Sequence, residues 1–461
     1  MAALNHLVLQ GINRNTSPIL LKLGELELAV NCVSERVGQL KKREGYTQIL
    51  NVPDASEILS LIPFRRGSTF KLIMINAAGK LYSADPINDA TWGTAILTGL
   101  STTARWQATY LSGNLFLGNG AVVYKTTDGV AFTTVAGAPL AKYWDTLFQR
   151  VYCSGVDASP STLFWSATGD GTDWSEPAGS SSTDVDEDDG GNIKQIKKVN
   201  DRMVIWKNEQ MKRWDDDNMV TIPASSGLDA PYSLIGVDGN AIGLDREALR
   251  VYDGNYPNPV STKIEDIIKN IDLSTPDRIC AAVMDDMYYL SIGNLSDPSL
   301  SNVWIVYDYN KDSFYLFSLA DLATAMTRYR DADNKQYLFF GGTDGKVYQM
   351  FDSEQDDGEK ITMEVHSHWL TPSGLQNTFI ARRIMLFGEN VDEFFVEAMK
   401  NGDEDFKPMG KTIEMIDQVG LKKLGRNQRA IKVKITHTRD GQPSLNGFII
   451  NYGTVGKRAK S

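Results

Sequence analysis

The sequence predicts an all-β protein: a β-propeller of about seven blades over residues 51–356, a C-terminal antiparallel β-sandwich-like domain over 357–461, and an extended N-terminal arm over 1–50. Three observations lead there. Seven stretches of alternating apolar residues recur with a common ending, their strands are apolar on both faces, and the texture changes on either side of the repeat.

The repeat is the governing signal, because a period of about 40 to 50 residues marks stacked supersecondary units. FKLIMINAAGKLY, WQATYLSGNLFLGNGAVVY, LFQRVYCSGVDASPSTLFW, VNDRMVIWKNEQMKRW, LIGVDGNAIGLDREALRVY, MDDMYYLSIGNLSDPSLSNVWIVY and NKQYLFFGGTDGKVY each lead through a Gly/Asn/Asp turn into a second stretch that ends on an aromatic. Those aromatics are Tyr82, Tyr124, Trp165, Trp214, Tyr252, Tyr307 and Tyr348, at spacings of 42, 41, 49, 38, 55 and 41. Alternation such as Phe70, Leu72 and Met74 against Lys71, Ile73 and Ile75 signals strands, and Gly79-Lys80 and Asp344-Gly345 signal hairpins. Radially stacked sheets cover both faces of each strand, which suits runs such as LIMI and LFLG. An irregular pair of β-sandwiches is the competing architecture, and the spacings of 49 and 55 leave room for an insertion or a lost blade. Trp165, Trp206, Trp214 and Trp304 fall in strand patterns and are expected in the core.

Ahead of the repeat, SPILLKLGELELAVNCVSERVGQLKKREGYTQI reads as an extended arm with a short amphipathic stretch. After it, the acid-rich FDSEQDDGEK, Phe351 to Lys360, reads as a linker. Beyond that, ITMEVHSHWLTP, FIARRIMLFG, EFFVEAMKNG, AIKVKITHTRDG and SLNGFIINYG alternate as strands of a second β domain of about 100 residues.

Composition narrows the class. With 461 residues, 42% hydrophobic and 23% charged, the chain can bury a core and is not disordered throughout. Cys32, Cys153 and Cys280 lie far apart, so no disulfide framework or zinc ribbon is expected. No run of about 18 apolar residues occurs, and no membrane insertion is expected. The net charge of -11 hides an asymmetry: Leu421 to Ser461 holds ten basic residues against Asp440 alone, a local +9. Such a basic end on an acidic body can meet nucleic acid, an acidic partner or another copy of the chain, and can equally be a solvated face.

Candidate chemistry is sparse. Asp184, Asp186 and Asp188 open like a calcium loop, but Asp189 stands where the turn glycine belongs and Gln195 where the bidentate glutamate belongs, so a solvated acidic loop is expected. His366 and His368, two apart on a strand, point to one face with no third ligand evident. With His6 and His437 in other segments, no catalytic triad assembles, and no GxxxxGK[ST] or helix-opening GxGxxG occurs. No enzyme activity, metal or cofactor is therefore expected. In SATGDGTDWSEP, Ser166, Gly171 and Trp174 resemble the Asp-box turns of sialidase-like propellers, but Asp170 directly precedes the glycine, and neither the arginine cluster nor the tyrosine nucleophile of those enzymes is found. Asp170, Asp173 and Trp174 are accordingly expected to build a structural turn.

Several stretches together resemble virion proteins of tailed bacteriophages. They are GINRNTSPILLKLGELELAVNCVSERVGQLKKREGYTQI, RVYCSG…LFWSATGDGTDWSEP, IEDIIKNIDL, MYYLSI…VWIVYDYNKDSFYLF and LKKLGRNQRAIKVKITHTRDGQPSLNGFIINYG. The chain is similar to the packaged-DNA stabilisation or tail hub (nozzle) proteins of short-tailed phages. The resemblance implies a ring, sixfold in that family, that extends the portal and adaptor channel, helps retain the genome and anchors fibres, spikes or a needle. It implies double-stranded DNA passing without sequence-specific binding, and a place in the virion after assembly in the host cytoplasm. An acidic wall suits passing DNA because it repels phosphate. Arg36, Lys41, Lys42 and Arg43, with Lys422, Lys423, Arg426 and Arg429, are then expected at subunit or adaptor interfaces. A distal receptor-binding or fibre-attachment propeller and a glycan-binding or glycosidase propeller are the alternatives.

Overall fold

The computed structural model describes residues 2–6, 9–16, 21, 24–186, 188–189, 191–215, 218–223, 226–295, 300–371, 377–389, 394–411, 418–420 and 428–454. The protein is an all-β propeller with a second pair of sheets built from both chain ends. Seven sheets, antiparallel except where N-terminal strands join the last two, follow one another, beginning with the strands Ile58–Arg66, Gln107–Leu111, Tyr143–Leu147, Ile193–Val199, Ile235–Val237, Cys280–Met284 and Ala325–Arg330. Each of these first strands adjoins the next, and Ala325–Arg330 adjoins Ile58–Arg66, so the seven close into a ring.

Period-2 alternation explains how the sheets stack. In the first sheet Phe70, Leu72 and Met74 join Tyr329, Phe339 and Val347 of the last sheet in one apolar cluster. Ile73 and Ile75, from the opposite face of the same strand, join Leu115 and Leu117 of the second sheet. Phe116 then turns to Val151 and Cys153 of the third sheet, and Tyr152 to Met203 and Ile205 of the fourth. Each strand thus feeds two cores, which is why its sequence is apolar on both faces. All seven repeat aromatics, from Tyr82 to Tyr348, fall on the third strand of their sheets. Trp165 stacks on Trp214 at 5.5 Å, locking the third sheet to the fourth.

The first sheet has three named strands, and its fourth place is held by residues 96–100 through Leu81–Leu97 and Leu100–Gly79 backbone bonds. The last sheet takes its fourth strand from the N-terminal region: Gly45–Ile49 pairs with Val347–Ser353. Residues 24–49 are therefore not an extended arm. Leu26–Val30 joins the sixth sheet beside Ser313–Ser318 and continues it through Met363–Ser367, Ile431–His437, Phe395–Lys400 and Lys407–Lys411, giving nine strands in all. The hairpin Cys32–Arg36 and Gln39–Lys42 joins Ser444–Thr454 and Phe379–Glu389 in a second sheet, to which Ala2–His6 also pairs. These two sheets share one cluster with the propeller, from Trp304 and Phe314 to Ile384, Val433 and Phe448. The C-terminal β layers and the propeller consequently have a continuous core. The expected linker is also structured, since Gln355–Asp356 and Glu359–Lys360 form a hairpin in the last sheet.

Candidate assembly interface

Two of the basic residues expected at an interface are instead interior. Arg43 has a fully buried side chain. Its Nη1 and Nη2 donate to the two oxygens of Asp356 at 2.7 and 2.5 Å, Nε donates to Asn31 Oδ1 at 2.9 Å, and the Glu44 and Ser318 carbonyls accept the remaining two N–H groups. The guanidinium also lies 5.3 Å from the Phe317 ring centroid. Burial raises the Asp356 carboxyl and the guanidinium opposes it. Lys42 is buried too, its Nζ donating to the Arg439 carbonyl at 2.6 Å, and burial pulls its ammonium below the ordinary value while Asp440 opposes. A cation placed inside needs partners, and the chain supplies Asp356 to Arg43 and the Arg439 carbonyl to Lys42 from 313 and 397 residues away.

The other candidates stand differently. Lys41 pairs with Glu35 at 2.8 Å, and Arg36 is exposed beside Val37 at the hairpin tip, which is 84% exposed. Arg429 is exposed, with its backbone N–H held by Asn401. Lys422, Lys423 and Arg426 lie outside the described residues. The basic C-terminal run is also partly neutralised in space. Lys432 pairs with Glu27, and Lys434 with Glu364 at 2.9 Å and Glu397 at 3.8 Å. Alternate residues of a strand face one side, so Lys434 meets acids on the two strands flanking its own, and Lys432 reaches Glu27 across the intervening strand Met363–Ser367, contacts that exist only after folding.

Three stretches that carried the sequence resemblance meet at one junction. Gly11 lies against the Phe314 backbone so closely that a Cβ would sit 2.7 Å from its nitrogen, and Ile12 N–H donates to the Phe314 carbonyl. Arg14 pairs with Asp266 at 2.8 Å, at the start of the short helix Glu265–Lys269, and its N–H donates to the Lys263 carbonyl. Lys263 in turn reaches Asp312 at 2.6 Å. GINRN, IEDIIK and NKDSF thus form one structural joint between the N-terminal segment and the sixth sheet, beside a cavity of about 310 Å³.

The acidic stretches prove to be occupied or structural. Asp170 Oδ1 accepts the N–H and hydroxyl of Thr172, and Asp173 Oδ1 accepts those of Ser175, which holds its carboxyl below the usual range. Trp174 donates to the Gly171 carbonyl and meets Trp144 edge-on at 6.3 Å, while Gly171 packs against Phe116 of the preceding sheet. This turn is a clasp between the second and third sheets. In the loop after Asp184, two lysines supply the positive charge. Lys207 donates to the carbonyls of Val185, Asp186 and Asp189, and Lys212 pairs with the carboxylates of Asp186 and Asp189 at 2.6 and 3.0 Å. His366 contacts Glu364 at 2.7 Å, and buried His368 contacts the Glu25 carbonyl, so the two imidazoles have separate surroundings. Among the described residues no group of three or more metal-capable side chains comes together, and no helix is long and apolar enough to cross a membrane.

No protein-family model and no curated protein matches the chain. Among solved structures it is similar to YCF48 bound to a D1 peptide, with a TM-score of 0.42, 9% identity, and 68% of this chain and 96% of that one covered. It is similar to BBS1N in complex with ARL6DN, at a TM-score of 0.44, 10% identity, and 67% and 97% coverage. It is also similar to the extracellular domain of the one-component system BT4673 from B. thetaiotaomicron, at 0.48, 12%, and 94% and 63%. Likenesses at these scores carry no argument about role.

Sequence reasoning missed Asp356 as the partner of Arg43, and the pairing of Arg14 with Asp266. The local signal for the close backbone approach there is Gly11, which has no side chain to hold the two segments apart.

Proposed function

We propose that this protein is a structural component of a bacteriophage tail or head-to-tail machine, a tail hub that forms a ring around the DNA path. The junction of GINRN, IEDIIK and NKDSF is the observation that carries this reading: three of the stretches that resemble phage hub proteins together lock the N-terminal segment to the propeller. They serve one architecture rather than three unrelated loops. The nine-stranded sheet supports it further, because force applied to the C-terminal layers passes into the propeller through hydrogen-bonded strands. The pockets lined by the inner strands of the propeller, of about 220 and 570 Å³, are far too small for a duplex. DNA would therefore pass through the lumen between copies, along acidic outer surfaces that repel phosphate. Of the candidate cations named from the sequence, Arg36 and Arg429 are both described and exposed, and remain for contacts between copies or with the adaptor.

Imaging of the intact particle tests this directly. Sixfold density for this chain beneath the portal is the expected result. Threefold density at the distal tip would assign it to fibre attachment or receptor binding instead.

A further inference from the structure

The first strands of all seven sheets line one cavity on the propeller axis, of about 220 Å³, near the ends where most of those strands begin. Arg105, just ahead of the Gln107–Leu111 strand, stands in its wall and is only 8% exposed. Its guanidinium lies 5.1 Å from the Tyr232 ring centroid and reaches the Cys280 thiol. No carboxylate pairs with it among the described residues.

Neither neighbour supplies a negative charge at neutral pH. Burial pushes the Cys280 thiol up to about 11, although Arg105 opposes it, and burial together with the field of exposed Asp277 raises the Tyr232 phenol. The other cation on the wall, Lys197, is already 3.6 Å from Asp145. Gln195 donates its amide to the Pro231 carbonyl. Gln107 accepts from Trp144 N–H through Oε1, which leaves its NH2 group as a donor. The cavity therefore offers one guanidinium without a paired carboxylate and one amide donor against apolar walls that include Leu61, Ile196 and Leu234.

A guanidinium taken from water without a counter-charge is costly, and a single planar cation with parallel N–H groups matches a planar monoanion with two oxygens. A phosphate dianion would call for a second free cation. We propose that this cavity binds a carboxylate, with Arg105 gripping both oxygens, Gln107 assisting, and the apolar wall taking the adjoining alkyl group. The carboxylate can belong to a small free acid or to the end of a peptide chain. The proposal does not depend on the virion role.

Titration calorimetry of the full chain at low ionic strength, with N-acetylleucine and N-acetylleucine amide as probes, tests it. The acid should give saturable heat, and the amide should bind at least tenfold more weakly. Arg105→Gln should weaken the acid at least tenfold, and inorganic phosphate should bind more weakly than the acid. A ten-residue Gly/Ser peptide ending in a free leucine carboxylate separates the two sources. Binding tenfold tighter than N-acetylleucine points to a chain end, and equal or weaker binding to a small acid. Absence of saturable heat with both acids, equal binding of acid and amide, tighter binding of phosphate, or a folded Arg105→Gln that titrates like the wild type would overturn the proposal. The comparison of acid with amide needs no variant, so it decides the matter even where Arg105→Gln fails to fold.

Discussion

Arg43 has five N–H groups, and all five have acceptors. Arg43→Ala would leave Asp356 buried without its partner, so a loss of about 3–5 kcal/mol is expected in urea unfolding, against less than about 0.5 kcal/mol for Arg36→Ala on the exposed hairpin. Trp174 is only half-buried, so Trp174→Ala should cost about 2 kcal/mol, below the range for a fully buried tryptophan, measured by thermal melting. Burial alone would raise Glu364, but His366 and Lys434 outweigh it and hold its carboxyl at about 2. A lowered carboxyl contributes stability that is complete above its unfolded value of 4.5 and is lost as the pH falls toward 2. The wild type should therefore lose up to roughly 3 kcal/mol relative to Glu364→Gln across that window, read from denaturation at each pH. The turn at Asp170 and Asp173 was legible in the sequence because aspartates bond N–H groups two residues on. Arg43 was not legible, because nothing near it in the chain reveals Asp356.

The strands of the repeat were legible for a related reason. Alternation and the terminal aromatics are local signals, and every aromatic from Tyr82 to Tyr348 lies on a third strand. The N-terminal strands were misread as an arm because their partners, Val347–Ser353, Met363–Ser367 and Ser444–Thr454, are distant in sequence. Their burial is what distinguishes them: Leu26, Ala29, Cys32, Leu40 and Tyr46 are all inside. Deleting residues 1–50 should expose the outer edge of the last sheet and remove a strand from the nine-stranded sheet. The expected outcome is loss of a single cooperative melting transition, followed by circular dichroism, with partial recovery on adding a peptide spanning residues 24–49. Gly11→Ala, which drives a Cβ into the Phe314 backbone, should cost about 1–3 kcal/mol without changing the secondary structure content.

Across the whole molecule, charge along the chain and charge in space are different quantities. The local +9 of the C-terminal run suggested a basic face, but Lys432 and Lys434 are matched by Glu27, Glu364 and Glu397 from other strands. On the proposed hub role, reversing Lys422, Lys423 and Arg426 to glutamate should impair assembly of the ring or tail while leaving the monomer folded, and particles that assemble normally with this triple change would remove these residues from the proposed interface. The way the ring closes also bears on how the protein is made. Ile49 pairs with Val347, about 300 residues further along the chain. At roughly 5–20 residues per second, the N-terminal strand waits about 15 to 60 seconds on the ribosome before its partner emerges. Until then its edge is open to any passing strand, so the nascent chain has a long interval in which a chaperone that shields sheet edges would raise the yield of closed molecules.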